Sequence, residues 1–379
     1  MNLLILGHFG GHNTGDEAML YGLLTQLNVN SDFRIELVSK GSSSDYFFNF
    51  PVKIVKPGVK QILSSLKNSD FVILCGGTHF HDDYVFSRYL RHVRYLFRYL
   101  GIFTLARISG KKVCLIGNGL GPFKYSFTKV LTQAAIRLSN LTTVRDMASY
   151  EEIKTLGMVS SNTFLTFDLA ALLPLSRSEI DSSLIGVSLT PLHYYNAEGE
   201  DLNQLYQDQV FDGLNKAMVA NANLKVKIFV IRGGERESDV DISRLLFNRL
   251  IGIFSESRVA LSNFNYNPIS TLNEIAECRG GFIASRYHSA MLGYISSLPL
   301  LFLAYHRKLE DLAFDVKLHP DACVPLNKSY LGTDKIKNSI YELSIGNDQR
   351  FIAEVTPNVM VEKSLENIHF LKDLMRLKN

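Results

Sequence analysis

Short apolar, β-rich runs alternate with helical patterns along the whole chain, and the alternation starts afresh after residue 183. Such a pattern predicts βαβ units and parallel sheets, because parallel neighbours need a crossover, usually a helix, to join them. In the first half, strands are expected at Leu3 to Gly7, Ile35 to Ser39, Phe71 to Cys75, Val113 to Gly117, Leu141 to Arg145 and Phe164 to Asp168. Helices are expected near Asp16 to Leu27, Asp83 to Leu105 and Phe127 to Ser139. The second half repeats the scheme with strands Ile185 to Thr190, Lys227 to Arg232 and Val259 to Ser262. Its helices are expected near Asp201 to Val219, Ser238 to Phe254 and Ser270 to Cys278. Leu173 to Ser183, with Pro174 and several serines, reads as the linker. At 379 residues the chain exceeds one typical core. The expectation is an α/β protein of two Rossmann-like domains whose mainly parallel sheets face a cleft. Residues 1–172 and 184–345 would form the domains, and 346–379 a C-terminal helical segment with its helix near Val361 to Arg376.

Composition excludes several classes. A hydrophobic content of 46% with 20% charged residues describes a globular chain, not a disordered one. A net charge of +3 gives no reason to expect a nucleic-acid partner. The cysteines Cys75, Cys114, Cys278 and Cys323 contain no CxxC spacing, so neither a zinc site nor a disulfide framework is indicated. Three of them sit in or beside apolar runs, as reduced thiols of a cytoplasmic protein do. Met1 runs straight into LLIL with no basic segment before it, so a secretory signal is not expected. The longest weakly charged stretch, Ser289 to Tyr305, is broken by Pro299 and falls short of the ~20 apolar residues of a membrane span.

The segment Ile283 to Lys308 concentrates cations at two successive strand ends. One apolar run empties into Arg286, Tyr287 and His288; the next ends in Tyr305, His306, Arg307 and Lys308. In open α/β sheets ligands bind at that edge, and the cations call for a small, highly anionic ligand. Ser285-Arg286-Tyr287-His288 reads as an N-cap and first helical turn, where backbone amides form an anion site and Arg286 can add a clamp. The competing reading is a capping turn with a core histidine.

Other strand-end loops converge on the same kind of edge. GHFGGHNTGDEAM, from Gly7 to Met19, supplies Gly10, Gly11, Asn13 and Gly15, with Asp16 and Glu17 in the first helical turn. It is neither GxGxxG nor a Walker loop, and the plain alternative is a βα turn capped by Asp16. LCGGTHFHDD contains Gly76, Gly77, His79, His81, Asp82 and Asp83. No third ligand at a metal-site spacing accompanies them, so helix capping by the carboxylates competes with metal binding, and no metal is expected. IGNGLGPF offers Asn118, and TVRDMAS offers Arg145 and Asp146, for which a local salt-bridged turn is the alternative. Arg88, Arg91, Arg94 and Arg98 fall within about 120° of a helical projection, opposite Phe86, Leu90, Val93, Phe97 and Leu100. The apolar side is expected to pack on the sheet. The basic side is either a solvated face or a stripe for anionic lipid headgroups.

In order, GHNTGDEAM, CGGTHFHD, GNGLGP, TVRDMASYEEIKTLG, the FDLA segment around Asp168 and ASRYHSAMLGYISSLPLLFLAYHRK resemble the polysaccharide pyruvyl transferase family. The resemblance runs from about Met1 to Asp315, with Cys75 standing where the family has the first of three glycines. It implies a fold like that of GT-B glycosyltransferases and transfer of a pyruvyl group from phosphoenolpyruvate onto two sugar hydroxyls as a cyclic ketal, in cell-surface polysaccharide synthesis. It places the RxH pair on Arg286 and His288, the VRD arginine on Arg145 and the late lysine on Lys308. His288 would carry a proton, Asp16 would stabilise positive charge at the central carbon, and Arg145, Arg286 and Lys308 would hold the anions. Gly11, Asn13, Gly76, Gly77, Asn118 and Tyr305 complete the expected substrate-binding set. Phosphoenolpyruvate is the donor and a sugar or lipid-linked oligosaccharide the acceptor, with no separate cofactor. The loops after Asp82 and from His193 to Glu200 are candidates for the acceptor side. Peripheral contact with the inner face of the membrane would run through the arginine stripe. Two rivals stand beside this: a nucleotide-sugar-dependent glycosyltransferase on the same architecture, and a non-catalytic glycan- or lipid-binding relative.

Overall fold

The computed structural model describes residues 1–27, 33–42, 52–82, 86–176, 180–192, 199–234, 237–346 and 348–376, with side chains at 86–88 and 199–201 left aside. Asp83, the side chain of Arg88 and the side chains of the expected acceptor loop His193 to Glu200 therefore lie outside the described residues.

The first half runs β1 (Asn2–Leu6), α1 (Thr14–Leu27), β2 (Arg34–Val38), β3 (Val52–Val55), α2 (Val59–Asn68), β4 (Phe71–Cys75), α3 (Phe86–Ile108), β5 (Lys112–Asn118), α4 (Ser126–Leu138), β6 (Leu141–Val144), α5 (Met147–Thr155) and β7 (Thr163–Leu165). All described strand pairs are parallel, in the order β3-β2-β1-β4-β5-β6-β7. The second half runs β8 (Leu184–Ser188), α6 (Gly199–Ala220), β9 (Lys225–Phe229), α7 (Val240–Ile251), β10 (Val259–Ser262), α8 (Pro268–Ala276), β11 (Gly281–Ala284), α9 (Tyr287–Ile295), β12 (Leu300–Ala304), α10 (Arg307–Asp315), β13 (Cys323–Pro325), α11 (Lys328–Leu331), α12 (Lys335–Ile345) and α13 (Pro357–Arg376). Its sheet is also parallel, in the order β10-β9-β8-β11-β12-β13. Both orders reverse once, between β1 and β4 and between β8 and β11. Each unit is thus a doubly wound Rossmann-like sheet with one topological switch point.

The strand sequences explain the architecture. β4 reads FVILC and β12 reads LLFLA, and every residue of both is buried, as helices covering both faces require. Two strands went unrecognised in the sequence. β3 is only VKIV, with a lysine inside it, and β13 is CVP, a short edge strand ending in proline.

The chain divides into two compact units. One comprises residues 1–11, 16–173 and 360–379, and the other 12–15 and 174–359. The last helix is therefore not a segment of its own: from Met360 onward it belongs to the first unit. Asn367 fixes it there. Its Nδ2 donates to the carbonyl of Phe167 at 2.9 Å, and its Oδ1 accepts from Thr166 Oγ1 at 2.8 Å and from Thr143 Oγ1. Ser364 donates to the Asp168 carbonyl at 2.9 Å, and Phe164 stacks on Phe370 with ring centroids 3.8 Å apart.

Helix α3 sits differently from its sequence projection. Leu90 and Phe97, expected on the sheet, are each 52% exposed. The buried side carries Tyr89, Leu96, Tyr99, Ile102, Phe103 and Ala106 instead. Two of these are tyrosines with polar partners, Tyr89 at Thr128 and Tyr99 at Tyr95. The Tyr95 hydroxyl lies 3.4 Å from His79 Nδ1 and hydrogen-bonds the Tyr99 hydroxyl. His8 stacks on Tyr95 at 5.2 Å and lies 4.5 Å from the His79 ring, and His81 lies 5.1 Å from His92.

Burial, aided by the charge of His8, depresses His79 well below the usual imidazole range and His92 to about 4. Both rings are neutral in the fold and bind protons near 6.5 once unfolded. Their contribution is complete above about pH 6.5 and is lost as pH falls toward 4. Between pH 7 and 5 the urea midpoint should drop. His92→Gln should recover about 1 kcal/mol of that loss at pH 5, after allowance for the ring's partial exposure; equal losses in both proteins would remove His92 from the effect.

Candidate functional site

The strand order of the second unit brings β8 and β11 together at its switch point, and β11 delivers the RxH segment there. The chain leaves Ala284 through Ser285 and Arg286 into α9. Ser285 was expected to cap this helix, but its hydroxyl turns into the sheet, accepting from the Thr190 amide at 2.7 Å and donating to the Ser188 carbonyl at 3.3 Å. Arg286 holds the cap position with extended backbone and makes no side-chain cap bond. The cap residue thus leaves the positive end of the α9 dipole to other partners.

His288 lies in the first turn of α9, with the Tyr287 ring edge-on at 5.0 Å. Its imidazole rests on the backbone of Gly15: a Cβ there would fall 1.9 Å from Nδ1 and 2.2 Å from Cγ. Only glycine permits this approach. Residues 12–15 are held in the second unit by their own bonds. The Thr14 amide and hydroxyl donate to the Ile231 carbonyl at 3.1 and 2.9 Å, and the Gly233 amide donates to the His12 carbonyl at 2.9 Å. Asn13 forms an antiparallel bridge with Arg232, and its Oδ1 accepts from the Gly15 amide at 3.4 Å. Asn13, not Asp16, therefore sits at the cap of α1. The His12 ring packs against Phe264 and Tyr266, at 5.8 and 5.1 Å.

Arg286 does not reach its position alone. Its Nε lies 2.7 Å from both oxygens of Asp239, its Nη2 lies 2.6 Å from Asp239 Oδ1, and Nη2 donates to the Glu237 carbonyl at 2.5 Å. Asp239 is fully buried and also accepts from the Arg232 amide at 2.9 Å. Burial pushes the Asp239 carboxyl up, and the charge and hydrogen bonds of Arg286 oppose that. Glu237, at φ 53°, pairs with Arg232 at 2.8 Å. Two arginines and two acids thus lock the loop after β9 against the RxH turn. Tyr305, His306 and Lys308 follow β12, the next strand in the sheet. His306 caps α10, its Nδ1 accepting from the Lys308 amide at 3.2 Å. Lys308 is half-buried in that first turn, while Arg307 is exposed and pairs with Asp311 at 3.3 Å.

In the first unit the expected residues Arg145, Gly76, Gly77 and Asn118 lie at or just past strand ends, Gly11 lies in the loop after β1, and Asp16 lies in the first turn of α1. Arg145 follows β6 and is 2% exposed. Its Nη1 meets Asp168 at 3.0 Å, its Nε meets Asp146 at 3.3 Å, and its Nη2 donates to Thr78 Oγ1 at 3.2 Å. A Cβ at Gly119 would lie 2.8 Å from that hydroxyl and 3.1 Å from Arg145 Nε, so the guanidinium lies against bare backbone. Both carboxylates also cap local helical turns, through the Ser149 and Ala170 amides. With two carboxylates beside it, this arginine ties loops together and is poorly suited to holding a further anion alone. The expected ligand approach at Gly76 is taken by Met19, whose sulfur would lie 2.4 Å from a Cβ there and accepts from the Gly77 amide at 3.1 Å. Cys75 is buried and its thiol is pushed up by burial first and then by the nearby charges of Asp168 and Asp16. Asn118 Nδ2 donates to the Leu74 and Ile116 carbonyls at 3.0 and 3.2 Å, joining β4 to β5. Gly11 leaves 3.3 Å between the place of a Cβ and the His8 carbonyl. Asp16, half-buried in α1, contributes its charge to the raised values of Cys75, Tyr95 and Tyr99. The Asp82 oxygens accept from the Lys124 and Tyr125 amides, in the loop ahead of α4.

Asp239 and Gly119 were not singled out in the sequence. Asp239 sits in GGERESDVD among other acids, and only the fold selects the one that meets Arg286. Gly119, inside GNGLGP, carries no mark that separates it from its neighbouring glycines.

The fold is shared with solved structures of low sequence identity. S. aureus MnaA in complex with UDP aligns over 99% of this chain and 97% of its own, at 13% identity and a TM-score of 0.62. Neisseria meningitidis UDP-GlcNAc 2-epimerase bound to UDP-GlcNAc aligns over 100% of both chains, at 12% identity and 0.61. Anabaena HepE in complex with UDP aligns over 100% of this chain and 99% of its own, at 11% identity and 0.58. These likenesses show a GT-B-like fold of two Rossmann-like domains. No curated protein matches the sequence. The family model for polysaccharide pyruvyl transferase matches residues 13–307, from Asn13 through the RxH pair to Arg307, and the chain belongs to that family.

Proposed function

We propose that this enzyme transfers the pyruvyl group of phosphoenolpyruvate onto two hydroxyls of a sugar and releases phosphate, leaving a cyclic ketal. The observation that carries the reading is His288, fixed against the Gly15 backbone in the first turn of a helix that starts at a sheet switch point. The α9 amides and dipole favour the phosphate dianion, and Arg286 adds positive charge beside them. Lys308, in the first turn after the neighbouring strand, is assigned the carboxylate.

The chemistry balances without a further reactant. The methylene carbon takes a proton and becomes a methyl group as the first sugar hydroxyl bonds to the central carbon and gives up its own proton. The second hydroxyl then bonds to that carbon while the carbon–oxygen bond to phosphate breaks, and the phosphate leaves with the remaining proton. His288 moves protons in these steps, a role that contributes about 10²–10⁴ in rate. Positive charge grows at the central carbon, and Asp16 is proposed to stabilise it. Arg145 and Asp239 are positioning residues: one ties the strand-end loops of the first unit, the other holds Arg286.

Phosphate release from phosphoenolpyruvate should require a glycan acceptor. His288→Ala should lower it by about a hundredfold or more with the fold intact; undiminished release would remove His288 from the mechanism. Stabilisation on heating by UDP, with none by phosphoenolpyruvate, would favour nucleotide-sugar chemistry instead.

Gly15→Ala should cost nearly as much activity as His288→Ala and should also lower the urea midpoint, since the added methyl meets the Cβ and Cγ of His288 as well as its Nδ1. Asp239→Asn should destabilise the second unit by about 3 kcal/mol, because it leaves the Arg286 charge buried without its partner. Calorimetry of the variant tests this, and an unchanged transition would mean that the pair contributes only locally.

A further inference from the structure

Helices α3 and α4 carry five and two basic residues and not one Asp or Glu, although the chain has 37 acidic residues in 379. The same helices leave large apolar side chains in solvent. Leu90 and Phe97 are each 52% exposed, Leu105 44% and Ile108 78%; on α4, Phe127 is 47% and Val130 56% exposed. The Phe97 and Phe127 rings meet at 6.0 Å, so the two exposed faces adjoin.

At about 100° per residue, Leu90, Arg94, Phe97, Leu105 and Ile108 fall on one stripe of α3, with Arg91 on its flank. From Leu90 to Ile108 that stripe is about 27 Å long. Arg91 and Arg94 are exposed beside it, as are Lys124 and Arg137 beside the α4 face. An apolar face this large is uncommon on a surface that meets only water. The charged residues of both helices are all basic, so the occupant the face fits is apolar just beneath an anionic layer. An anionic lipid bilayer has that profile: headgroups take up arginine and lysine, and the acyl boundary takes up phenylalanine and leucine. No helix among the described residues is long and apolar enough to cross a membrane, so such contact would lie in the plane of the surface.

We propose that the joint face of α3 and α4 docks the protein onto an anionic lipid surface, with Phe97 and Phe127 entering the headgroup layer. The inference does not rest on the pyruvyl transfer reading, since the face uses none of the residues assigned to that chemistry.

Sedimentation of the full chain with phosphatidylcholine vesicles, with and without about 30% phosphatidylglycerol, tests it. Binding should be at least about tenfold tighter to the anionic vesicles and should weaken as salt rises. Phe97→Ser with Phe127→Ser should lower it about tenfold or more, and Arg91→Gln with Arg94→Gln by about fivefold per charge removed. Phosphate release with a soluble acceptor should be unchanged in both double variants. Equal binding to both vesicle types, or binding indifferent to both double variants, would overturn the proposal. So would a dimer in solution that Phe97→Ser and Phe127→Ser convert to monomer, because the face would then belong to a second copy of the chain.

Discussion

Parallel strand direction is the constraint from which the rest of this structure follows. When every strand in a sheet runs the same way, every strand ends at the same edge, and each crossover helix begins there with its dipole pointing outward. The reversal of strand order then opens one place on that edge where neighbouring helices lie on opposite faces. In the second unit this place falls between β8 and β11, where the RxH turn emerges. The cations singled out by their clustering are there because of topology; their sequence separation from Asn13 and Asp239 is irrelevant once the sheet has formed.

Both units use a buried strand-end arginine, and both give it acidic partners. Arg145 sits among Asp146, Asp168 and Thr78, and Arg286 among Asp239 and the Glu237 carbonyl. A buried guanidinium carries a large desolvation cost, which such partners offset. The result is an arginine whose direction is fixed before any ligand arrives. Arg286 pairs with Asp239, and Arg145 with both Asp146 and Asp168, and each stands at the start of a helix, α9 and α5.

Much of this was legible in the chain. The strands that bury both faces announce themselves as unbroken apolar runs, and FVILC and GFIA fall where they were expected. The edge strands VKIV and CVP did not, because an edge strand needs neither length nor continuous hydrophobicity. The orientation of α3 escapes its sequence for a different reason. A projection that sorts residues by hydropathy places Leu90 and Phe97 inward, whereas tyrosines with hydroxyl partners can be buried in their stead. His288 and Arg286 were legible as a motif. Their supports were not: Asp239, Gly15 as a seat for the imidazole and Gly119 as a seat for Arg145 are defined by contacts across tens to hundreds of residues.

The first unit is assembled from three separate stretches of chain, and the last of them is the C-terminal helix. Thr143, Thr166 and the Phe167 carbonyl receive their buried partner from Asn367 only when that helix is present. The unit that holds the first strands therefore completes its core only with helix α13 in place. Nearly all of the second unit lies between these stretches. The core of the first unit is thus closed by a residue about 200 positions beyond the strand ends it joins.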